Sequence, residues 1–280
     1  ADLVRLDDQD PRFRLDLVHA LSSIAGNQKG KNAEEWDTWW KQNSASFQVD
    51  TGATKAFREK TRVQDVEIPT LGYFYNLPIF SDKICFVVDS SMSMGGDRIA
   101  SLRLNLRDTI KMMDDKVAYN IVDFGGLTEV MVKDALTFDK SKGLKRAADM
   151  DLSLGTRSFD GMEIATLLND VDTIYFLSDG KPTMSEIDDW DEIRRGISLL
   201  HRSRPIAFYA VEFNPSGNTA PMVFMTDENY GLYQAIALMG TEDEELKSSE
   251  MGKEKDKDKE NKKKGGGGGA GAGAGAKKKK

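Results

Sequence analysis

Ile84-Cys85-Phe86-Val87-Val88-Asp89-Ser90-Ser91-Met92-Ser93-Met94 decides how this chain is read. Five apolar residues, rich in β-branched and aromatic types, run into an acid and then into a hydroxyl-rich turn. Such a run predicts a strand buried on both faces, as in the middle of a parallel sheet. Asp89 then stands at the carboxyl end of that strand, and Ser91 and Ser93 follow at steps of two. In open α/β sheets ligands bind beyond the carboxyl ends of the strands. One carboxylate and two hydroxyls supply hard oxygen atoms, the ligand type that suits Mg²⁺, Mn²⁺ or Ca²⁺. The plainer reading is a capped helix start, because Asp and Ser are common N-caps. Asp-x-Ser-x-Ser alone does not separate the two.

Downstream the pattern alternates. Ile99, Leu102, Leu106, Ile110 and Met113 recur at steps of three and four, a helical stripe that Asp97 can cap. Val117 to Phe124 reads as a strand ending at Gly125-Gly126, and Thr128 to Val132 as a short strand pairing back. Helices are expected over Lys140 to Met150 and Phe159 to Leu168, and a further apolar strand over Thr173 to Leu177. Ser185 with Asp188 reads as a capping box before a helix carrying Ile187, Trp190, Ile193, Ile197 and Leu200. A strand over Ile206 to Phe213, a helix near Pro221 to Met225 and a strand near Tyr230 to Ile236 complete the series. Alternating strands and helices predict an α/β fold, a doubly wound, mostly parallel sheet of about six strands covered on both faces.

Two further polar points matter. Thr156 follows a glycine and precedes a helix, and Asp179 ends the second buried strand beside Gly180. If the strands ending at Asp89 and Asp179 are neighbours, Ser91, Ser93, Thr156 and the two carboxylates meet at one edge of the sheet. By ligand chemistry that is a cation site.

In order and spacing, Asp89-x-Ser91-x-Ser93, Thr156 and Leu177-Ser178-Asp179-Gly180 resemble the discontinuous metal-ion-dependent adhesion site (MIDAS) of von Willebrand factor A (vWA) domains. The resemblance covers about residues 79 to 238. It departs at Met92, where many members carry Gly and where the turn must accept a side chain. The resemblance implies a Rossmann-like sheet. It also implies a divalent ion, Mg²⁺ first with Mn²⁺ or Ca²⁺ as substitutes, held by the hydroxyls of Ser91, Ser93 and Thr156. Asp89 and Asp179 would stand behind, holding its waters. The implied function is a protein-binding module whose metal captures a carboxylate of a partner protein, as in cell adhesion. A metal-coupled subunit of a larger ATP-driven complex, an enzyme using the metal as a Lewis acid, or a scaffold with an idle site are the alternatives.

Upstream, residues 1–76 read as a small helical appendage. Asp10-Pro11 signals a helix start, with Phe13, Leu17, Val18, Leu21 and Ile24 at helical spacing behind it. A second helix is expected from near Asn32, with Trp36, Trp39 and Trp40 on one face holding the appendage together. The pair resembles a single HEAT-type repeat and, with the domain that follows, bacterial proteins of that build. Asp50-Thr51-Gly52 reads as a turn, and Tyr73-Phe74-Tyr75 as a short strand into the main domain, residues 77–240. Residues 241–280 read as a disordered tail, mixed in charge, then Gly/Ala-rich, then four lysines.

Composition excludes several classes. From Thr241 onward 12 Lys stand against 9 acids, so that segment carries +3 and, with a total of −7, the rest carries −10. An acidic body does not predict nucleic-acid binding. No apolar run approaches the roughly 20 residues of a membrane span. One Cys excludes an internal disulfide framework. There is no Gly-x-Ser-x-Gly elbow, and Met94-Gly95-Gly96-Asp97 lacks the Lys of a phosphate loop. Two His remain: His19, read as structural, and His201, read as a surface residue. The expectation is therefore a non-enzyme. The chain opens at Ala1 without Met, which together with the lone Cys and the common use of such domains outside cells leans toward export. The oligomeric state and the identity of the partner stay open.

Overall fold

A computed structural model describes residues 10–180, 182–202, 204–215 and 219–238. The described residues up to Ala237 form one compact unit. The tail expected over 241–280 lies outside the described residues.

The unit opens with three helices. In α1 (Pro11–Ile24) the Asp10 carboxylate accepts from the amides of Arg12 and Phe13 at 3.0 and 3.4 Å. α2 (Ala33–Asn43) starts at Asn32, whose side chain takes the Glu35 amide, while the Glu35 carboxylate returns to the Lys31 amide. Asp50-Thr51-Gly52 is not a free turn. Asp50 caps α3 (Thr51–Lys60) by accepting from Gly52 and Ala53, so the segment holds three helices where two were expected. Its core joins Leu15, Val18, Ala33 and Trp36 to Val66, Ile68 and Phe80. The buried stripe of α1 is rotated from the expected one: Leu15 and Val18 are fully buried, while Phe13 and Ile24 face solvent. Trp36 is buried and meets Trp39 edge to face at 5.9 Å, but Trp40 is 42% exposed.

A two-residue hairpin, β1 (Tyr73–Phe74) and β2 (Leu77–Pro78), leads into the sheet. The chain then runs β3 (Lys83–Asp89), α4 (Asp97–Met112), β4 (Ala118–Phe124), β5 (Thr128–Val130), α5 (Lys140–Ala148), α6 (Ser158–Leu167), β6 (Thr173–Ser178), α7 (Trp190–His201), β7 (Ala207–Phe213), α8 (Ala220–Glu228) and β8 (Tyr233–Ile236). Six strands make the main sheet in the order β5-β4-β3-β6-β7-β8. Only β5 is antiparallel to its neighbour; the other pairings are parallel.

Period two sorts the strand residues onto two covered faces. Cys85, Val87, Val122, Phe124, Ile174, Phe176, Phe208 and Ala210 pack with Met162 and Ala165 of α6, Ile193 and Ile197 of α7, and Met222 and Met225 of α8. The alternate residues take the other face, where Phe86 and Tyr175 lie against Phe74 of β1 at 5.1 and 6.1 Å. On that face α5 comes so close that a Cβ on Gly143 would sit 2.2 Å from the Tyr119 hydroxyl. Ile84 to Val88 are all fully buried. Each such side chain is worth roughly 1.5–3 kcal/mol of burial, which explains why this run forms the strand at the centre of the fold.

Two boundaries differ from expectation. Asp97 is the first residue of α4 and not its cap, the cap position being Gly96. α7 starts at Trp190 because Asp189 accepts from the amides of Asp191 and Glu192, displacing the Ser185/Asp188 box. His201 is no surface residue. It is 6% exposed, with Nδ1 2.9 Å from Asn229 Oδ1 and Nε2 3.3 Å from Thr166 Oγ1. Burial holds its pKa below the usual histidine value.

Candidate metal centre

After β3 the chain turns one way to β4 and β5, then crosses back to lay β6 on the opposite side of β3. The carboxyl ends of β3 and β6 thus meet at the point where the winding reverses, where open α/β sheets form their crevice. Val88 pairs with Leu177, so Asp89 and Ser178 come next along adjacent strands. By parity both side chains share the face of Val87 and Phe176.

There Ser178 Oγ donates to Asp89 Oδ2 at 2.6 Å, and the Ser91 amide donates to Asp89 Oδ1 at 2.8 Å. Asp89 is fully buried. Burial pushes its carboxyl up to about 6, against the pull of these two donors and with the Asp179 charge adding to the rise. Ser91 and Ser93 hydroxyls lie 2.9 Å apart, and Ser93 Oγ donates to Asp179 Oδ1 at 2.8 Å. Ser91, Ser93 and Asp179 thus form one hydrogen-bonded chain, joined to Asp89 through the Ser91 amide. The turn between them is a 3₁₀ turn, Met92–Met94. Met92 takes no positive φ, so its side chain is accommodated without strain and points outward.

Thr156 arrives by backbone pairing. The Ser153 amide donates to the Ser90 carbonyl at 2.9 Å, which anchors the start of its loop beside Ser91. Thr156 and Thr183 exchange backbone hydrogen bonds at 3.2 and 2.9 Å, which anchors its end four residues beyond Asp179. Between them Gly155 takes φ +103 with Met184 Sδ only 2.7 Å from where a Cβ would stand. That backbone conformation favours glycine. The structure therefore brings Asp89, Ser91, Ser93 and Asp179 into one network and places Thr156 on the adjoining loop.

Two residues that the motif reading passed over belong to this edge. Ser178 is the donor to Asp89, and Arg98, in the first turn of α4, donates through Nη1 to Asp179 Oδ2 at 3.0 Å and to the Ser93 carbonyl at 2.8 Å. Ser178 could have been found from parity once β3 and β6 were known to be neighbours. Arg98 offers a fainter signal: a cation at the amino end of a helix opposes the helix dipole.

The donor set can be weighed against the ion it would take. Among the described residues no three His, Cys, Asp or Glu side chains cluster as metal ligands. Among the described residues the edge offers oxygen ligands, with hydroxyls outnumbering carboxylates. A hydroxyl that gives its proton to a carboxylate keeps oxygen lone pairs for a cation, as Ser93 does. This fits Mg²⁺ or Mn²⁺ and does not fit Zn²⁺, which prefers His and Cys. Around the edge Met92, Leu127, Leu154 and Met184 are all more than half exposed. A cleft of about 140 Å³ opens beside it between Ser90, Asp123, Arg146, Asp151 and Ser153. A wider one of about 600 Å³ lies away from it, between the β1–β2 hairpin and α4.

No family model and no curated protein matches the sequence. Among solved structures the chain is similar to the vWF domain of the type V pili tip protein Mfa5 from Porphyromonas gingivalis. That match has 21% identity over 36% of this chain and 38% of that one, with a TM-score of 0.33. It is similar also to a von Willebrand factor type A protein from Catenulispora acidiphila, at 14% identity over 57% and 40% with a TM-score of 0.47. A third is the SpRpn10 VWA domain, at 16% identity over 55% and 87% with a TM-score of 0.44. The matched part spans about two fifths of the length of the first two.

Proposed function

We propose that the chain is a vWA-type interaction module in which a divalent ion, Mg²⁺ first, captures a carboxylate of a partner protein. The observation that carries this is the network of Asp89, Ser91, Ser93 and Asp179 at the carboxyl ends of β3 and β6. In this reading the hydroxyls of Ser91, Ser93 and Thr156 hold the ion, and Asp89 and Asp179 supply the negative charge behind it. When bound, the ion supplies an electrophilic centre that an acidic side chain can enter. The chain's own part is to hold the hydroxyls in place. Asp89 fixes the Ser91 amide, Ser178 fixes Asp89, and Asp179 orients the Ser93 hydroxyl. The exposed apolar side chains around this polar centre fit a face made for another protein, since energetically dominant contacts are ringed by neighbours that exclude water.

A second reading has its own observation. Asp179 already has a cation, Arg98, which fits a scaffold whose site is idle and which binds through another face. Isothermal titration of Mg²⁺ and Mn²⁺ into the wild type and Asp89→Ala separates the two. The module reading expects heat in the wild type and none in the variant. Equal heats, or none in either at millimolar metal, would end it.

A further inference from the structure

We propose that Arg98 is a built-in counter-cation that holds Asp179 in the metal-free protein and is displaced when a divalent ion binds, so that it sets how tightly the site takes metal. The inference rests on the metal-site reading and adds to it a residue outside the motif.

Three observations carry it. The first is engagement. Both oxygens of Asp179 are taken, Oδ1 by the Ser93 hydroxyl and Oδ2 by Arg98 Nη1, and the Asp179 side chain is only 1% exposed. A buried carboxylate needs a compensating charge, and without metal Arg98 is the charge it has. The second is placement. Arg98 lies in the first turn of α4, where the helix dipole disfavours a cation, and its side chain is 17% exposed. Local helix energetics do not explain an arginine there; the ion pair does. The third is looseness. Among the described residues, the contacts to Asp179 and Ser93 run through Nη1 alone, and Nε is buried without a partner. Arg–carboxylate pairs are frequently bidentate, and the large majority of buried donors have a partner. This guanidinium is held by one nitrogen, next to the hydroxyl that would ligate the ion. It suits a residue that must let go.

The displacement is an exchange of cations at one carboxylate. With the guanidinium released, Asp179 Oδ2 would be free to face the bound ion, and Asp179 would supply its negative charge to the metal in place of Arg98. Arg98→Gln removes the competing charge and leaves Asp179 buried and uncompensated, so a divalent ion gains a partner it no longer has to win. Arg98→Lys keeps the charge but loses the planar fork and carries a more strongly hydrated head.

The test is titration of Mg²⁺, and separately Mn²⁺, into the wild type, Arg98→Gln, Arg98→Lys and Asp89→Ala, with thermal melts of each in chelator and in metal. The expected result is metal affinity at least about tenfold higher in Arg98→Gln than in the wild type, with Arg98→Lys between them. The melting temperature of Arg98→Gln should fall in chelator and rise by more than the wild type's when metal is added. Binding seen in Arg98→Gln and not in the wild type would mean that Arg98 blocks the site and is not displaced, and would overturn the proposal. Equal or weaker affinity in Arg98→Gln, with binding in the wild type lost in Asp89→Ala, would overturn the proposal and leave the metal site standing. No binding in any of the four would overturn both. Should Arg98→Gln not fold even with metal present, Arg98→Lys decides: affinity equal to or below the wild type's rejects the proposal.

Discussion

Ser178 Oγ donates to Asp89 Oδ2 at 2.6 Å, across two adjacent parallel strands and 89 residues of sequence. The bond does two things. It satisfies a carboxylate that has no access to water, and it ties the ends of β3 and β6 together where the candidate ligands stand. Ser178→Ala should cost about 1.5–3 kcal/mol at neutral pH, the usual worth of a hydrogen bond to a charged group. Thermal or urea unfolding in chelator measures it. A variant as stable as the wild type would mean that Asp89 is served by the Ser91 amide alone.

Asp89→Asn should move stability the other way. Burial raises the folded-state pKa of Asp89 to about 6, above the value near 4 of an unfolded chain. The ionised form is thus disfavoured in the fold, and at neutral pH it costs on the order of 2 kcal/mol. Asn keeps an oxygen for the Ser91 amide and removes the charge. Its melting temperature in chelator should exceed the wild type's, while the rise on adding Mg²⁺ should vanish. Loss of stability in chelator would count against this balance.

At the other end of the sheet, Asp172 sets a pH dependence remote from the site. Burial lifts its carboxyl to about 6, although Ser81 and Thr173 hydroxyls both donate to Oδ1, at 2.5 and 2.9 Å. An acid whose folded pKa is raised costs stability as pH climbs from about 4 to about 6, and the cost stays above that. Asp172→Asn, which can keep Oδ1 for both donors, should therefore be more stable at pH 7 by on the order of 2 kcal/mol, and no more stable below about pH 4. Denaturation curves at the two pH values read this directly. A gain that persists at low pH would point to packing and not to charge.

In the helical segment the tryptophans should divide. Trp36 is 2% exposed inside the cluster of Leu15, Val18 and Phe80, and Trp36→Ala should cost about 3–5 kcal/mol. Trp40 packs on Phe47 at 5.6 Å with much of its ring in water, and Trp40→Ala should cost less than half as much. Chemical denaturation followed by circular dichroism compares them. Equal losses would show that the exposed ring carries as much of the packing as the buried one.

How much of this was legible in the sequence follows from range. The strand at Ile84 to Val88 and the alternation of strands and helices are carried by local runs and spacings, and each stands where those patterns place it. What was missed depends on neighbours distant in sequence. His201 reads as a helix surface until α7 is laid against Thr166 of α6 and Asn229 beyond α8. Ser178 is one more strand residue until β6 lies beside β3. Arg98 is an ordinary helix-start cation until Asp179, 81 residues later, comes within 3.0 Å. The third helix was lost for a local reason: Asp50-Thr51-Gly52 carries turn and cap chemistry at once, and Asp is at home in both.

The parallel ladder between β3 and β6 carries a consequence in time. A nascent chain that has grown only through Thr156 already contains Asp89, Ser91, Ser93 and Thr156, but not the strand that brings Ser178 and Asp179 alongside them. Nothing local can stand in for it, because parallel neighbours need a full crossover between them. Ion capture of the kind proposed would therefore wait until that crossover has closed. In the proposed reading the edge is finished by the docking of β6 on β3, while β7 and β8 are still to be added.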